Sequence, residues 1–327
     1  MKVLVTGASG FLGSHIAETL AAQGHDLRLL LRRESSRRFL KGLPYEEAEG
    51  DVCRPDSLLP AVKDIDVVVH AAGLIKARSE AEFARVNAGG TANLLAAASA
   101  AAPDLKRFVY VSSLAAQGPS ADGRPRSPDA PPQPITAYGR TKLAGEEATR
   151  ASFLASRSVI FRPPVIYGPR DPALLPFFKL VRWGLAPLLA DDRNRISIVY
   201  GQDAASAIAA AAVAEADVAG KTYTLDDGSV YSWQEMLAAV EEALGRRALK
   251  LHAPVWSFQA AAAACEAFAL VTRRPVSLTR EKVREMAQRH WVCSHEELSR
   301  DLGWTPQVDL REGARWTAAW YRAQGWL

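Results

Sequence analysis

Cysteine is scarce in this chain. Cys53, Cys265 and Cys293 are odd in number and far apart, and no Cys-x-x-Cys occurs. That argues against a disulfide frame and a zinc site, so no metal is expected. No basic block interleaved with aromatics is present, and the formal net charge over 327 residues is +4. A solvated basic surface is therefore expected rather than a nucleic-acid partner. Long apolar runs are missing too. The longest, Val255–Val271, is interrupted by Gln259 and Glu266 and falls short of a spanning segment. An ordinary core helix is its preferred reading and contact with a membrane surface the minor one, so no membrane partner is expected. An apolar strand pattern begins at Val3 and leaves no stretch that reads as a secretory leader; a reducing cytoplasm is the expected location.

The informative residues start at once. Val3–Gly13 reads V-L-V-T-G-A-S-G-F-L-G. Its short apolar run with β-branched residues fits a buried strand. Gly7, Gly10 and Gly13 follow at three-residue spacing, and an amphipathic run, Ser14–Gln23, comes next. Strand, glycine turn and helix in that order are the setting of a dinucleotide-binding fingerprint. Gly7 permits the tight turn, Gly10 lets backbone approach a pyrophosphate, and Gly13 lets helix pack on strand. The helix N-terminus then offers free N–H groups and a positive dipole end to phosphates.

Further strands are expected at Leu27–Leu31, near Tyr45–Gly50, and at Val67–His70, Phe108–Val111, Ser158–Arg162, Ile196–Tyr200 and Thr222–Leu225. Helices are expected between them, at Glu80–Ala101, from Ala137 and at Asp203–Ala214, then at Ser232–Leu244, from Val255, at Arg280–Arg289 and at Leu310–Trp320. Leu31 is followed by Arg32 and Arg33. An acidic residue there would bond a ribose 2′-OH and favour NAD, whereas guanidinium suits a phosphate monoester. NADP is thus preferred, with NAD remaining if the arginines are merely exposed. Asp51-Val52 can set a side chain beside an adenine ring. The small residues Ala71-Ala72-Gly73 let backbone lie near the cofactor. His70 has no partner visible in sequence and reads as a core or strand-end histidine. Asn87 either braces the site or faces solvent.

Pro119–Pro134 is a loop whose length suggests that it borders a site. The only Tyr-x-x-x-Lys of the chain, Tyr138 and Lys142, follows a strand that ends in Ser112-Ser113. Four-residue spacing puts both side chains on one helical face. A free tyrosine, with a pKa of about 10, is a poor base at neutral pH, and an ammonium one turn away lowers that value. Tyr138 would exchange a proton with a carbonyl or hydroxyl oxygen, Ser113 would hold that oxygen, and Lys142 would also hold the nicotinamide ribose. The hydride belongs to the cofactor. Each residue has a plainer alternative: a strand-end cap, a core aromatic and a solvated lysine.

In combination these motifs resemble the extended short-chain dehydrogenases/reductases, also called the NAD(P)-dependent epimerase/dehydratase family. The resemblance rests on Thr6–Gly13, Asp51-Val52, His70–Gly73, Asn87 with Gly90-Thr91, Ser113, Tyr138 with Lys142, Arg162–Pro169 and Leu302–Pro306. It implies an α/β fold: a Rossmann-type doubly wound parallel sheet of seven strands with a smaller C-terminal substrate-binding domain. Residues 1–169 and 197–226 would form the first, 170–196 and 227–327 the second, with the active site between them. It implies catalytic Ser113, Tyr138 and Lys142. The cofactor would lie against Gly7, Ser9, Gly10, Phe11, Leu12, Gly13, Arg32, Asp51, Val52, Ala71, Ala72, Gly73, Asn87, Tyr138, Lys142, Pro163 and Val165. A homodimer through a helix–helix interface is also suggested.

Nucleotide-sugar dehydratases of this family place Asp-Glu where Leu114-Ala115 stands, and epimerases an asparagine where Val165 stands. The run R-P-P-V-I-Y-G-P is more similar to dihydroflavonol-reductase-like and 3β-hydroxysteroid-dehydrogenase-like members. Trp256, Phe258, Phe268 and Leu270 would suit a hydrophobic small-molecule substrate. The expected function is an NADP-preferring oxidoreductase that interconverts a carbonyl and a hydroxyl on a largely apolar substrate. The alternatives are a nucleotide-sugar epimerase with retained NAD and a non-catalytic NADP-sensing regulatory protein.

Overall fold

The computed structural model describes residues 1–189, 193–272, 276 and 278–327, and of residue 270 the backbone alone. Seven strands form one sheet in the order β3-β2-β1-β4-β5-β6-β10. They are β1 (Lys2–Thr6), β2 (Asp26–Leu31), β3 (Glu46–Glu49), β4 (Val67–His70), β5 (Arg107–Val111), β6 (Ser158–Arg162) and β10 (Thr222–Thr224), and every pairing is parallel.

Both faces of the central strands are covered, which is why β1, β2, β4, β5 and β6 are largely apolar, while edge strand β3 is glutamate-rich and exposed. Val3, Val5, Leu29, Val69, Val109 and Phe161 pack with α1 (Phe11–Ala22) and the alanine-rich α8 (Gly201–Val213). Leu4, Leu30, Val68, Phe108, Tyr110 and Ile160 face the other way, toward α2 (Leu59–Val62), α4 (Gly90–Ala101) and α6 (Ala137–Ala151). The chain leaves β1 for α1 on one face. It leaves β4 on the opposite face, through α3 (Glu80–Phe83) into α4. The crevice at the C-terminal ends of β1 and β4 is therefore the topological switch point. Short α5 (Leu114–Gln117) follows β5 directly.

The remainder forms a smaller, interleaved unit. Strands β7 (Val165–Tyr167), β9 (Arg195–Tyr200), β11 (Val230–Tyr231) and β13 (His290–Trp291) build a second sheet, and β8 (Leu185–Leu189) pairs with β12 (Leu249–Ala253) in a parallel ribbon. Around them lie α7 (Leu175–Arg182), α9 (Trp233–Leu244), α10 (Val255–Thr272), α11 (Arg280–Met286), α12 (Glu296–Leu302) and α13 (Leu310–Ala323). Phe178, Val181, Leu237, Val240, Ala318 and Tyr321 form one of its cores.

Three expectations need correction. Residues 197–200 and Val165–Tyr167, grouped by sequence with the nucleotide-binding half, belong to the second sheet through β9 and β7; a buried apolar run looks the same in either sheet. Glu80–Ala101 is not one regular helix, because Ala84–Gly89 winds as a π-helical turn between α3 and α4. The stretch from Val255 is a helix but not a core one. Of the described side chains of α10 only that of Ala262 is buried, and Trp256 and Val271 are 72% and 85% exposed. The side chain of Leu270 lies outside the described residues. Among the described residues, no helix is long and apolar enough to cross a membrane.

Candidate active site

The turn after β1 is built by close approach. Gly7 has φ +77°, and a Cβ there would lie 2.7 Å from the Ala72 nitrogen. A Cβ on Gly13 would lie 2.2 Å from the Gly7 oxygen. Only glycine lets the turn, the start of α1 and the end of β4 meet this closely. Helix α1 begins at Gly10 with no side-chain cap and no acidic residue in its first turn, so its leading N–H groups and dipole are open to an anion. This uncapped, glycine-lined cradle fits a dinucleotide pyrophosphate. Ser9, Phe11 and Leu12 are half-buried in it, and the Phe11 ring abuts Gly201 at the start of α8.

Thr6 ties the cradle to β4. Its Oγ1 accepts from the Ala72 N–H at 3.2 Å and lies 2.7 Å from His70 Nδ1, while His70 Nε2 lies 3.0 Å from Thr91 Oγ1. Burial, with the nearby Lys142 charge, pushes His70 down to about 3. It is a neutral core histidine, as its lack of sequence partners suggests. Asn87, in the π-helical turn, is fully inside. Its Oδ1 accepts from the Leu74 N–H at 2.8 Å, and its Nδ2 donates to the Leu74 oxygen at 3.1 Å and to Thr141 Oγ1 at 3.3 Å. It thus fixes the chain beyond Ala71-Ala72-Gly73, and of its two sequence readings the bracing one describes this geometry.

Toward the other end of the crevice, Asp51 Oδ1 accepts from the Cys53 N–H at 2.8 Å. Val52 is buried against Gly90, where a Cβ would lie 2.7 Å from it. Arg32 and Arg33 stand exposed beyond β2, with Arg32 Nε 3.5 Å from Glu34. The Pro163 oxygen accepts from the Leu114 N–H at 2.8 Å, beside Ser113. Val165 lies on β7, outside the main sheet and more than a third exposed.

Ser113 caps α5, its Oγ accepting from the Ala115 N–H at 3.1 Å. Thr136 caps α6 in the same way through Gly139. A Cβ on Gly139 would lie 2.3 Å from the Ala115 oxygen. This glycine lets α6 start hard against α5 and sets the Tyr138 phenol beside Ser113, close enough for the serine to favour its ionised form. Burial pushes the phenol up to about 12, and Ser113 offsets only part of that. Lys142 is buried. Its Nζ donates to the Val111 oxygen at 2.6 Å, sits 4.5 Å above the Tyr110 ring, and lies where a Cβ on Gly73 would be 3.7 Å away. Burial pulls it down to about 7 against the pull of Glu146. Ser113, Tyr138, Lys142, Gly73 and Asn87 thus converge. The expected acidification of Tyr138 by Lys142 does not hold in the free protein, because the lysine is engaged by the Val111 carbonyl and desolvation dominates both groups.

Two features escaped the sequence reading. Glu146 and Arg162 form a buried ion pair behind Ser112 and Ser113; the only signal was an acid four residues beyond Lys142 on the same face. Arg170, with φ +75°, reaches Ser14 Oγ at 3.0 Å and Glu18 at 2.6 Å over the first turns of α1. Nothing in its sequence setting marks it.

A family model for the NAD dependent epimerase/dehydratase family matches residues 3–225. The chain belongs to that family. Over nearly its whole length it is similar to curated members. Ceramide reductase of Caulobacter vibrioides is 34% identical, across 99% of this chain and 96% of the relative. The 2-alkyl-3-oxoalkanoate reductase of Stenotrophomonas maltophilia is 31% identical, across 96% and 98%. Among solved structures, UDP-glucose 4-epimerase of Thermus thermophilus in complex with NAD is 27% identical with a TM-score of 0.77, covering 98% of this chain and 99% of that one. As a family member with reductase relatives, the protein is an NAD(P)-dependent oxidoreductase.

Proposed function

We propose that this family member is an NADPH-preferring ketoreductase that reduces a carbonyl group on a long-chain, largely apolar small molecule. One observation carries the reading. Ser113 at the start of α5, Tyr138 in the first turn of α6 and Lys142, whose Nζ reaches the Val111 oxygen at 2.6 Å, converge at the C-terminal end of β5, and a phenol, protonated at neutral pH, stands there as a proton donor to a carbonyl oxygen. Ser113 holds that oxygen. The charge left on the phenol strengthens the pull on a proton at Lys142, one helical turn away.

The cradle of Gly7, Gly10 and Gly13 with the N–H groups of α1 would hold the pyrophosphate. Asp51 and Val52 would flank the adenosine end and Arg32 a 2′-phosphate, with Lys142 and Tyr138 at the nicotinamide ribose. When bound, the nicotinamide supplies the hydride. In this reading residues 1–169 with most of 197–226 carry the cofactor, and the remainder covers the substrate.

The substrate class is supported by a narrow slot of about 60 Å³ lined by Phe177, Pro187, Leu188, Leu189, Trp233, Phe258 and Met286. Met286 adjoins Glu285, whose charge is felt by Tyr138, so α11 links slot and phenol. Trp233 Nε1 is buried without a partner among the described residues and would offer the slot one donor for a polar group on an apolar body. The names of the two curated relatives, a ceramide reductase and an alkyl-oxoalkanoate reductase, point to the same class. The test is NADPH oxidation with a chain-length series of 3-oxoacyl compounds. Turnover should rise with chain length. Epimer formation from a UDP-hexose without net cofactor turnover would replace this reading with the epimerase one.

A further inference from the structure

The outer side of α10 is apolar along its length and is left uncovered by the described residues. Trp256, Ala260, Ala263, Ala267 and Val271 recur at helical spacing on one exposed stripe, with Phe268 beside it at 63% exposure. The opposite side, through Phe258 and Ala262, is the one that packs inward. A helix that is apolar all round is normally buried, and a contiguous exposed apolar surface marks a place of contact. The surface continues into the β8–β12 ribbon, which runs into α10 through Pro254 and exposes Leu185, Leu249 and Leu251. Trp183 stands out just ahead of β8.

Basic side chains cluster at the described rim of this surface. Arg182, Arg246, Arg247 and Lys250 are all exposed at the ends and edge of the ribbon. The sole acidic residue of α10, Glu266, is neutralised by Arg280 at 2.7 Å. We propose that α10 and the β8–β12 ribbon form a docking surface for a lipid bilayer containing anionic headgroups. Trp256, Val271 and Phe268 would lie in the interfacial region, and the four basic residues would meet the headgroups. Exposed tryptophan next to cationic side chains is the composition such an interface favours. A second copy of this chain would bring the same basic rim, so charge favours the anionic surface over a self-contact. The Phe258 side of α10 lines the apolar slot, so a docked helix would set the slot beside the lipid phase. The proposal stands on exposure and charge and goes beyond the ketoreductase reading.

Co-sedimentation with phosphatidylcholine vesicles, with and without phosphatidylglycerol, tests it. The full chain should bind the anionic vesicles several-fold better than the neutral ones, and added salt should weaken that binding. Trp256→Glu with Val271→Glu should reduce partitioning about tenfold or more, with NADPH affinity and melting temperature kept. Absence of vesicle binding by the wild type overturns the proposal. So does equal binding by the double variant, or a solution dimer that the variant dissociates while vesicles are ignored. Should the double variant fail to fold, brominated-chain lipids decide on soluble protein. Tryptophan quenching that drops in Trp256→Phe supports docking, and quenching unchanged in that variant overturns it. NADPH turnover on a water-soluble ketone tests the ketoreductase reading separately, because it needs no vesicle.

Discussion

Arg162 grips Glu146 with two parallel hydrogen bonds, Nε to Oε1 at 2.9 Å and Nη2 to Oε2 at 2.7 Å, and neither side chain is more than 2% exposed. Ser112 Oγ donates to the same carboxylate at 2.6 Å, and Arg162 Nη1 donates to the Pro128 oxygen at 2.7 Å. The pair therefore joins α6, β6, the end of β5 and the loop between α5 and α6. Burial alone would raise the Glu146 carboxyl, but the Arg162, Ser112 and Arg150 contacts outweigh it and hold the group below its usual value of 4.5. A carboxyl depressed in the folded state adds stability above its unfolded pKa and loses it as pH falls through the folded one. Glu146→Ala would strand a buried guanidinium and should cost about 3–5 kcal/mol. Urea unfolding at pH 7 checks this. A loss below about 1 kcal/mol would mean that water or another acceptor reaches Arg162.

Tyr138→Phe keeps the ring beside Phe83, whose centroid is 6.0 Å away, and removes only the proposed acid. Turnover should fall by about 10²–10⁴-fold, while NADPH affinity, followed by cofactor fluorescence, stays within a few-fold. Ser113→Ala should cut kcat as well, because the carbonyl oxygen loses a donor. A Tyr138→Phe protein that still reduces its substrate would remove the phenol from the mechanism.

The cradle and the Tyr138–Lys142 face were legible because each is written in local spacing: glycines at intervals of three, and a phenol and an amine four apart. What the sequence did not disclose depends on tertiary placement. The apolar run of β9 suits either sheet. The ribbon strand β8 contains Pro187, which masks a short strand pattern. The π-helical turn around Asn87 leaves the apolar periodicity of its neighbours nearly intact. Burial reversed the electrostatic argument. Spacing put an ammonium near a phenol, but only the fold shows that desolvation outweighs that proximity and that the Val111 carbonyl holds the amine. For α10, composition alone read as core, and only the finished packing shows which side is left uncovered.

Lys142 makes stability rise with pH. Its folded pKa of about 7 lies below the ordinary 10.5 because burial penalises the ammonium. Between those two values the unfolded chain binds more protons than the folded one, so stability increases as pH rises across that window. Below pH 7 both states are charged and the full penalty of burial remains. Lys142→Met should flatten this dependence. Thermal melts of the cofactor-free protein at pH 7 and 9 give the comparison. A wild type and variant with parallel pH profiles would show that the ammonium is solvated.

Asn87→Ala should loosen the crevice without touching the proton donor. It leaves the Leu74 N–H and oxygen without their side-chain partners, at about 1–3 kcal/mol, and frees the segment after Gly73. Cofactor affinity should weaken more than kcat falls once cofactor saturates. Titration and saturation kinetics separate the two, and an unchanged cofactor affinity would make Asn87 a purely structural residue.

The proposed preference for NADPH rests on Arg32. Its ion pair to Glu34, at 3.5 Å, is between exposed groups, and such a pair is worth little and is easily given up. A 2′-phosphate offers a stronger, bidentate partner. Arg32→Ala should therefore weaken NADPH binding by about tenfold or more, in line with the loss of one charge-assisted contact, and leave NADH nearly unchanged. The loss for NADPH should shrink as salt is raised, since the lost contact is between exposed charges. Equal effects on both cofactors would place the arginine away from the phosphate and turn the preference toward NAD.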